Sequence, residues 1–185
     1  MAAVDPETLG LRSCGEDVRA YELTRITDPD RVTLGSHVIL DDFTFLQGRE
    51  SLTIGDYVHV AMFASITGGG TTSIGSFATV SQGARLFSGT DVPDGSGLTD
   101  STIPAEHRAL KRSHLTVGDF AFLGANAVVL PGVTIGEGAV AGAQSLVRTD
   151  LEPWTIYAGV PARPLRSRPR EAMLERAAAL GYEPS

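Results

Sequence analysis

The chain has little of several things, and each shortage excludes a class of protein. Its 185 residues contain one cysteine, Cys14, so no disulfide forms within a chain and a reducing compartment is expected. Apolar runs are short, whereas a membrane-spanning helix needs about 20 residues. Acidic residues outnumber basic ones, and the net charge of −7 gives no basic surface for nucleic acid. With no signal segment at the N-terminus, we expect a single cytoplasmic domain without a membrane span.

What the chain does have is an aliphatic or small apolar residue at every sixth position between residues 117 and 147. An α-helix repeats every 3.6 residues and a free strand every two, so neither fits this spacing. A short strand followed by a tight corner does fit. Three such units per coil make a parallel β-helix with hexapeptide repeats. The sixth-position residues are Val117, Leu123, Val129, Ile135, Ala141 and Val147, and small or β-branched residues follow four positions later at Ala121, Ala127, Val133, Ala139 and Ser145.

The same spacing appears earlier in the chain, in triplets that repeat every twenty residues. One corner of each of these coils therefore carries about two extra residues. The triplets are Leu34, Leu40 and Leu46, then Ile54, Val60 and Ile66, then Ile74, Val80 and Leu86. Gly35, Gly55, Gly75 and Gly118 become equivalent corners, where glycine is expected because it turns without Cβ strain. A sandwich of alternating strands explains this spacing much less well.

These patterns divide the chain into three parts. Residues 1–17 are predicted to be a lead-in with a helical turn at Pro6 to Leu11. Residues 18–147 are predicted to be the β-helix, with residues 18–26 as an irregular first coil that caps the stack. The repeat is interrupted at 88–113 by an excursion rich in Gly, Pro, Asp, Ser and Thr, and an irregular segment of this length is usually functional or disordered.

The last part, residues 148–185, is predicted to leave the β-helix and to form a short helix. Ser167 is the expected N-cap, Pro169 lies near the first turn, and the helix is expected to run to about Leu180.

The repeats, together with the runs LPGVTIGEGAVAGAQSLV and LEPWTIYAGVPARPLRSR, resemble the hexapeptide-repeat acyltransferases, specifically the sugar O- and N-acetyltransferases. This resemblance implies an all-β fold, a left-handed parallel β-helix with a long excursion loop and a short C-terminal α-helix. The handedness comes from the resemblance alone, because ordinary parallel crossovers are right-handed. It also implies a homotrimer, acetyl-CoA as co-substrate and no metal.

Acyl transfer from a thioester needs a base for the attacking hydroxyl or amine, and histidine suits neutral pH. His59 lies between two inward-facing valines, so its side chain is predicted to point outward from a flat face. Its segment IGDYVHVAMFASI also resembles an element of sugar acetyltransferases, which makes His59 the first candidate. An ordinary interface histidine is an equally open interpretation. The other histidines are His107 and His114 in or just after the excursion, and His37 at a corner.

Asp91 is the second catalytic candidate, and it marks a departure from part of the family. The galactoside and maltose acetyltransferases carry their catalytic histidine in a Gly-His-Pro setting, where this chain has Gly89, Thr90 and Asp91. The excursion is more similar to a variant in bacterial surface-polysaccharide enzymes. Asp91 is therefore expected to orient His59 or to receive an acceptor hydroxyl, unless it is a turn aspartate. The pair Asp41–Asp42 is a weaker candidate for binding an acceptor amine.

The resemblance also assigns the coenzyme A site. Arg163 and Arg166, in a basic cluster with Arg168 and Arg170, suit its phosphates. In the family the pantetheine arm passes the GAQS and GVPA elements. That implicates backbone groups at Gly142, Ala143, Ser145, Gly159 and Ala162. Trp154 either covers the thioester or packs where the chain leaves the β-helix, and packing is the simpler interpretation.

Together these features predict transfer of an acetyl group from acetyl-CoA to a hydroxyl or amine of a sugar or nucleotide-linked amino sugar. The cleft would lie between subunits of a closed trimer. A natural-product or antibiotic acceptor, and a non-catalytic β-helix scaffold, remain alternatives. A γ-class carbonic anhydrase needs three zinc histidines with a spacing that this chain lacks. A nucleotidyltransferase would need a separate N-terminal domain.

Overall fold

The computed structural model describes residues 3 to 183, and nearly all of its regular structure is short β-strands. The chain winds through three flat faces in turn, and each strand pairs in parallel with the strand one coil later. The result is a triangular prism of about seven coils. We call its sides face one, face two and face three, in the order in which each coil visits them.

The strands of each face are as follows. Face one contains Ser13–Cys14, Val32–Leu34, Ser51–Ile54, Thr71–Ile74, His114–Val117 and Thr134–Ile135. Face two contains Arg19–Tyr21, Ile39–Leu40, His59–Val60, Thr79–Val80, Phe122–Leu123, Val140–Ala141 and Thr155–Ala158. Face three contains Arg25–Thr27, Phe45–Gln47, Ser65–Thr67, Arg85–Phe87, Val128–Val129 and Leu146–Val147.

Both ends of face two are closed by antiparallel strands. Ala3–Val4 pairs with the first strand and Arg163–Ser167 pairs with the last. Such strands cover edges that would otherwise be open to another chain. Short 3₁₀ turns lie at Pro6–Leu9, Pro29–Arg31 and Ala105–His107, and one α-helix lies at Glu171–Ala178.

The six-residue spacing accounts for the core. Every residue of the predicted sixth-position columns from Leu34 to Val147 is at most 2% exposed. The columns follow the strand register: Leu40 pairs with Val60, and Val60 pairs with Val80, along face two. Burying one such aliphatic side chain contributes about 1.5 to 3 kcal/mol. The columns are therefore the main source of stability.

The coils extend beyond the predicted bounds of 18 and 147. Ser13–Cys14 already pairs in parallel with Val32–Leu34, inside the segment predicted to be a lead-in. At the other end, Thr155–Ala158 pairs in parallel with Val140–Ala141 and adds a further strand to face two. The six-residue signal did not reveal these strands because their inward positions carry residues outside the aliphatic pattern.

The corner glycines are required for a reason other than the predicted one. Gly75 has no positive φ, and neither do Gly35, Gly55 and Gly118. A Cβ on Gly75 would lie 2.6 Å from the backbone nitrogen of Asp119 in the next coil. The glycines are therefore needed because successive coils stack closely at this corner.

The positive φ angles of this corner belong to the residue two positions after each glycine. These residues are His37, Tyr57, Phe77 and Phe120. Their rings stack along the prism with centroid distances of 4.5, 4.8 and 5.1 Å. A positive φ strains the backbone of a residue other than glycine. Contacts between the stacked rings offset that strain at these positions.

The C-terminal helix, Glu171–Ala178, packs on the end of this aromatic stack. Phe120 contacts Trp154 with a centroid distance of 5.8 Å, and Trp154 is 9% exposed, as expected for a packing role. Tyr182 meets Phe120 edge-on, and its hydroxyl donates a 2.6 Å hydrogen bond to Oδ2 of Asp119. The predicted N-cap was wrong, because Ser167 pairs with Thr155 in a strand and the helix begins four residues later.

The excursion at 88–113 is ordered rather than structureless. Gly89–Asp91 and Leu110–Arg112 form an antiparallel hairpin at its base, and a 3₁₀ turn lies at Ala105–His107. The hairpin rises from the corner between faces three and one. This is also the corner at which the earlier coils carry their two extra residues.

Candidate active site

An imidazole and a carboxylate from successive coils meet at face two. Nε2 of His59 lies 3.0 Å from Oδ2 of Asp41. The His59 side chain is 46% exposed, and the Asp41 side chain only 19% exposed. The same carboxylate oxygen accepts a hydrogen bond of 3.3 Å from the backbone N–H of Met62. Because a carboxylate only accepts hydrogen bonds, a neutral imidazole in this contact donates from Nε2 and has its lone pair on Nδ1.

His59 and Ala143 line the same groove, although sequence reasoning assigned them to different parts of the site. The groove has a volume of about 420 Å³ and runs over face two and its corner with face three. Its lining consists of His59, Ala61, Thr79, Ser81, Gln82, Phe122, Gly124, Ala125 and Ala143. The base candidate therefore stands at one end of a channel with small residues at the other.

Within one chain Asp91 does not contact His59, and its carboxylate pairs with Arg108 instead. Its two carboxylate oxygens accept hydrogen bonds of 3.0 Å each from Nε and Nη2 of Arg108. The pair is mostly buried, with 23% and 15% of the two side chains exposed. Asp91 ties the excursion hairpin to the segment after the 3₁₀ turn, while Asp41 takes the orienting position beside His59.

The other histidines differ from His59 in their contacts. Both ring nitrogens of His114 lie 2.6 Å from threonine hydroxyls, those of Thr71 and Thr116. His37 stacks on Tyr57, and its Nδ1 lies 3.2 Å from Asp17. His107 is exposed in the excursion. Among residues 3 to 183, only His59 combines a carboxylate partner with a place in the groove.

The second aspartate of the Asp41–Asp42 pair has a structural contact instead. Oδ1 of Asp42 accepts a 2.9 Å hydrogen bond from the backbone N–H of Leu23. The two neighbouring carboxylates therefore point to different partners, and Asp41 is the one that contacts the groove residue His59.

The residues predicted to hold coenzyme A lie at the C-terminal end of the prism. Several of their backbone groups already form hydrogen bonds within the chain. Gly142 donates its N–H to Tyr157 and accepts from Ser145. The Ser145 side chain is 1% exposed and points into the core, so it cannot meet a ligand in the groove. Gly159 accepts from the N–H of Leu146, and Ala162 donates back to the Leu146 carbonyl.

The basic cluster divides into free and occupied side chains. Arg163 and Arg166 are exposed on the strand Arg163–Ser167. Arg168 is different, because its Nη1 donates to the carbonyls of Phe120 and Gly138 at 2.8 and 3.0 Å. Burial lowers the pKa of Arg168 from its ordinary value. Arg168 therefore holds the C-terminal segment on the prism and is not available to a phosphate.

Residues 3 to 183 contain no group of three His, Cys, Asp or Glu side chains that could hold a metal ion. Over the same range, no helix is long and apolar enough to cross a membrane.

Comparison with known proteins decides the family. No protein-family model matches the chain. The dTDP-4-amino-4,6-dideoxy-D-glucose acyltransferase of Escherichia coli is 30% identical over 166 residues, which cover 89% of this chain and 86% of that protein. The chain belongs to the hexapeptide-repeat acyltransferases. It is also 39% identical over 77 residues to the putative lipopolysaccharide biosynthesis O-acetyl transferase WbbJ of Escherichia coli (strain K12), covering 42% of this chain and 39% of that protein.

Solved structures of hexapeptide-repeat acyltransferases agree with this assignment. AntD, an N-acyltransferase from Bacillus cereus in complex with dTDP and 3-hydroxybutyryl-CoA, superposes with a TM-score of 0.90. The two sequences are 31% identical, and the match covers 95% of this chain and 93% of AntD. The acetyltransferase VCA0836 from Vibrio cholerae O1 biovar eltor, complexed with acetyl-CoA, shares the fold at 20% identity. Its TM-score is 0.60, with 88% of this chain and 74% of that chain covered.

These matches confirm the predicted fold class, a left-handed parallel β-helix with a short C-terminal helix. They also confirm that this hexapeptide-repeat protein is an acyl-CoA-dependent transferase with an acyl-CoA as its co-substrate.

Sequence reasoning singled out His59 and Asp41 separately but did not pair them. The signal was present: Asp41 lies 18 residues before His59, two residues short of one twenty-residue coil. Because Ile39 is the partner of His59 in the parallel register, Asp41 comes two residues past it, at the corner. A search for carboxylates near one coil length from each histidine would have found the pair.

Proposed function

We propose that the protein transfers an acyl group from acyl-CoA to the amine of a dTDP-linked 4-amino-4,6-dideoxy sugar. The observation that carries this is the match along 89% of the chain to an acyltransferase of that substrate. AntD in complex with dTDP-4-amino-4,6-dideoxyglucose and coenzyme A gives further support, with a TM-score of 0.88 and 30% identity. The enzymes that suggest other acceptors match only part of this chain.

In this proposal His59 is the general base and Asp41 orients it. Asp41 holds the Nε2–H, so the lone pair of Nδ1 takes a proton from the acceptor amine as its nitrogen attacks the thioester carbonyl carbon. The carbon–sulfur bond then breaks, an amide forms, and coenzyme A leaves as a thiol after the proton passes to its sulfur. A carboxylate behind the imidazole fixes the tautomer and stabilises the imidazolium form.

The acyl donor lies along the groove of face two. In this proposal the thioester lies at His59 and the pantetheine arm passes Ala143, since both residues line the groove. Gly142, Gly159 and Ala162 are the positions that the end of the arm would then pass. The exposed guanidiniums of Arg163 and Arg166 suit the phosphates of coenzyme A, because guanidinium and phosphate form paired hydrogen bonds.

A second copy of the chain closes the groove. Face two is flat, and a flat face covers a substrate from one side only. A closed trimer would bring the excursion of one copy over face two of the next and exclude water from three equivalent sites.

The test is an acyl-transfer assay with dTDP-4-amino-4,6-dideoxyglucose and either acetyl-CoA or 3-hydroxybutyryl-CoA. We expect a product heavier by one acyl group, an equal release of free thiol, and loss of the primary amine. The matched control is the same dTDP sugar with a 4-hydroxyl in place of the amine, and chloramphenicol serves as an unrelated acceptor. Faster acylation of either control would overturn the proposed acceptor.

A further inference from the structure

The wide corner between faces three and one encloses a cavity that the groove of face two does not account for. In the twenty-residue coils the inward residue Leu46 is followed by Leu52, six positions on, whereas Val129 is followed by Val133 in the eighteen-residue coils. The extra residues of the earlier coils line a cavity of about 530 Å³. Its lining is Asp28, Arg31, Arg49, Glu50, Gly69 and Arg112.

A second cavity of about 290 Å³ continues under the excursion hairpin. It shares Arg49, Gly69 and Arg112 with the first and adds Lys111 from the hairpin. Because the two cavities share these three residues, we describe them together as the corner channel. Volumes of this order are typical of small-molecule sites.

The corner channel is basic in an otherwise acidic chain. Nη1 of Arg31 donates to the carbonyl of Arg49 at 2.7 Å, which holds the two arginines together. Nε of Arg49 is 3.8 Å from Asp28, a loose pair that leaves its guanidinium able to meet another anion. Within residues 3 to 183, Arg112 and Lys111 form no salt bridge. Cations therefore outnumber carboxylates along the lining.

Gly69 keeps the space between two of these guanidiniums open. Its φ of +82° belongs to the left-handed region, and a Cβ there would lie 3.5 Å from Nε of Arg112 and 4.0 Å from Cγ of Arg49. Any side chain at this position would stand between the two arginines. Glycine leaves that volume to a ligand.

Arg108 is the cation of the channel with the tightest carboxylate partner, because Asp91 accepts hydrogen bonds from its Nε and Nη2. The loosely paired Arg49 lies at a coil corner, and Lys111 and Arg112 lie on the hairpin; all three line the channel. Guanidiniums arranged in this way recognise phosphate oxygens in pairs.

We propose that the corner channel binds the diphosphate of the nucleotide-linked acceptor. The identity of the nucleotide rests on the proposed function, but the diphosphate site does not. Face two, with His59, lies opposite this corner across the buried core. An acceptor held in the channel of one copy therefore presents its sugar to His59 of a neighbouring copy.

Binding of dTDP and of coenzyme A, measured separately by calorimetry on the full chain, tests the site and its ligand. The double variant Arg49→Gln, Arg112→Gln should weaken dTDP binding by about tenfold or more and leave coenzyme A binding within about twofold. Arg148→Gln, an exposed arginine outside both sites, is the control for lost charge. Unchanged dTDP affinity in the double variant overturns the proposal, as does a loss confined to coenzyme A.

The same experiment separates this proposal from the proposed function. Inorganic diphosphate is used as a second probe with wild-type protein and with the double variant. Binding that depends on Arg49 and Arg112, without transfer to any dTDP-linked amine, supports the site and overturns the acceptor. Transfer with an unchanged KM for the acceptor in the double variant supports the acceptor and overturns the site.

Mixed oligomers test the arrangement across copies. The acceptor is held well below its wild-type KM, where His59→Ala is expected to be nearly inactive and the Arg49→Gln, Arg112→Gln variant to keep about a tenth of the wild-type rate or less. The two variants are co-expressed with different affinity tags. A cyclic oligomer of randomly mixed copies regains about a quarter of the wild-type rate, because a quarter of neighbour pairs then combine an intact channel with an intact His59. No recovery in purified mixed oligomers means that the two sites do not act across copies.

Discussion

His59 Nε2 and Asp41 Oδ2 are 3.0 Å apart because the coil register brings them together. Ile39 pairs with His59 in the parallel sheet, and Asp41 stands at the corner two residues further on. The N–H of Met62 also donates to this carboxylate, so Asp41 is held by backbone as well as by the imidazole. The histidine thereby gains a fixed orientation without any contact from the loops.

Removing the imidazole should lower turnover far more than acyl-CoA binding. For His59→Asn we expect kcat to fall by roughly 10² to 10⁴, the usual contribution of a positioned base. Asn is smaller than histidine but keeps a polar side chain, and the KM for acyl-CoA should stay within about threefold because binding depends on the rest of the groove. Steady-state kinetics with size-exclusion chromatography checks both. A kcat near that of the wild type would assign the base elsewhere.

Asp41→Asn should weaken the orientation of His59 while leaving the groove in place. We expect kcat to fall by about ten- to a hundredfold, because the asparagine no longer fixes the orientation and tautomer of the imidazole as the carboxylate does. The matched control is Asp42→Asn, since Asp42 contacts only the N–H of Leu23. Equal losses in the two variants would mean that Asp41 acts through folding rather than through His59.

Asp91→Asn distinguishes a positioning role from a direct one. The change removes one carboxylate oxygen from the paired contact with Arg108, so we expect the KM for the acceptor to rise about tenfold with little change in kcat. Asp94→Asn is the control, because an asparagine oxygen can still accept from the N–H of Ser96. A large fall in kcat at unchanged KM would instead show that Asp91 takes part in the reaction, as sequence reasoning expected.

The buried columns predict opposite results for neighbouring residues of one strand. Leu86 is fully buried, so Leu86→Ala should lower the free energy of unfolding by about 2 to 5 kcal/mol. Arg85→Ala, one residue earlier and exposed, should change it by no more than about 0.5 kcal/mol. Urea denaturation measures both. Similar losses at the two positions would contradict the inward and outward alternation.

The contact between Tyr182 and Asp119 predicts a stability change at high pH. Burial and the hydrogen bond to Asp119 raise the pKa of Tyr182 above its ordinary value. A raised pKa stabilises the folded state below the unfolded pKa of about 10, and this contribution is lost as the pH rises further. Tyr182→Phe should lower the unfolding free energy at pH 7 by about 1 kcal/mol and remove this part of the loss above pH 10.

Absorbance titration at alkaline pH gives the ionisation of Tyr182 as the difference between wild type and Tyr182→Phe. Tyr21→Phe is the control, since the Tyr21 hydroxyl makes no hydrogen bond within residues 3 to 183. If the two variants give the same difference curve, the Asp119 contact does not persist in solution.

The fold could be predicted from the sequence because one physical rule repeats in every coil. Each inward position must be aliphatic or small, so Val60 and Val80 can be identified as core residues from the sequence alone. The reason for glycine at Gly75 could not be predicted from the sequence, because it depends on the short distance between this corner and the next coil. Ser167 illustrates the same limit, since its strand pairing with Thr155 outweighed its local preference for a helix N-cap.

The site could be predicted only where a residue's direction follows from alternation. His59 is outward because Val58 and Val60 are inward, and this holds in the structure. Asp41 and Arg112 reach their places through corner geometry and through the path of the excursion. Neither residue belongs to a repeating pattern in the sequence.

The wide corner allows the chain to change length without disturbing its interior. Two residues are gained or lost between one inward position and the next, and the aliphatic columns pass from twenty-residue to eighteen-residue coils without a break. Insertions and deletions at this edge of the prism are therefore tolerated by the hydrophobic columns. Divergence of ligand preference among related proteins can proceed there by changing corner length, while the scaffold stays the same.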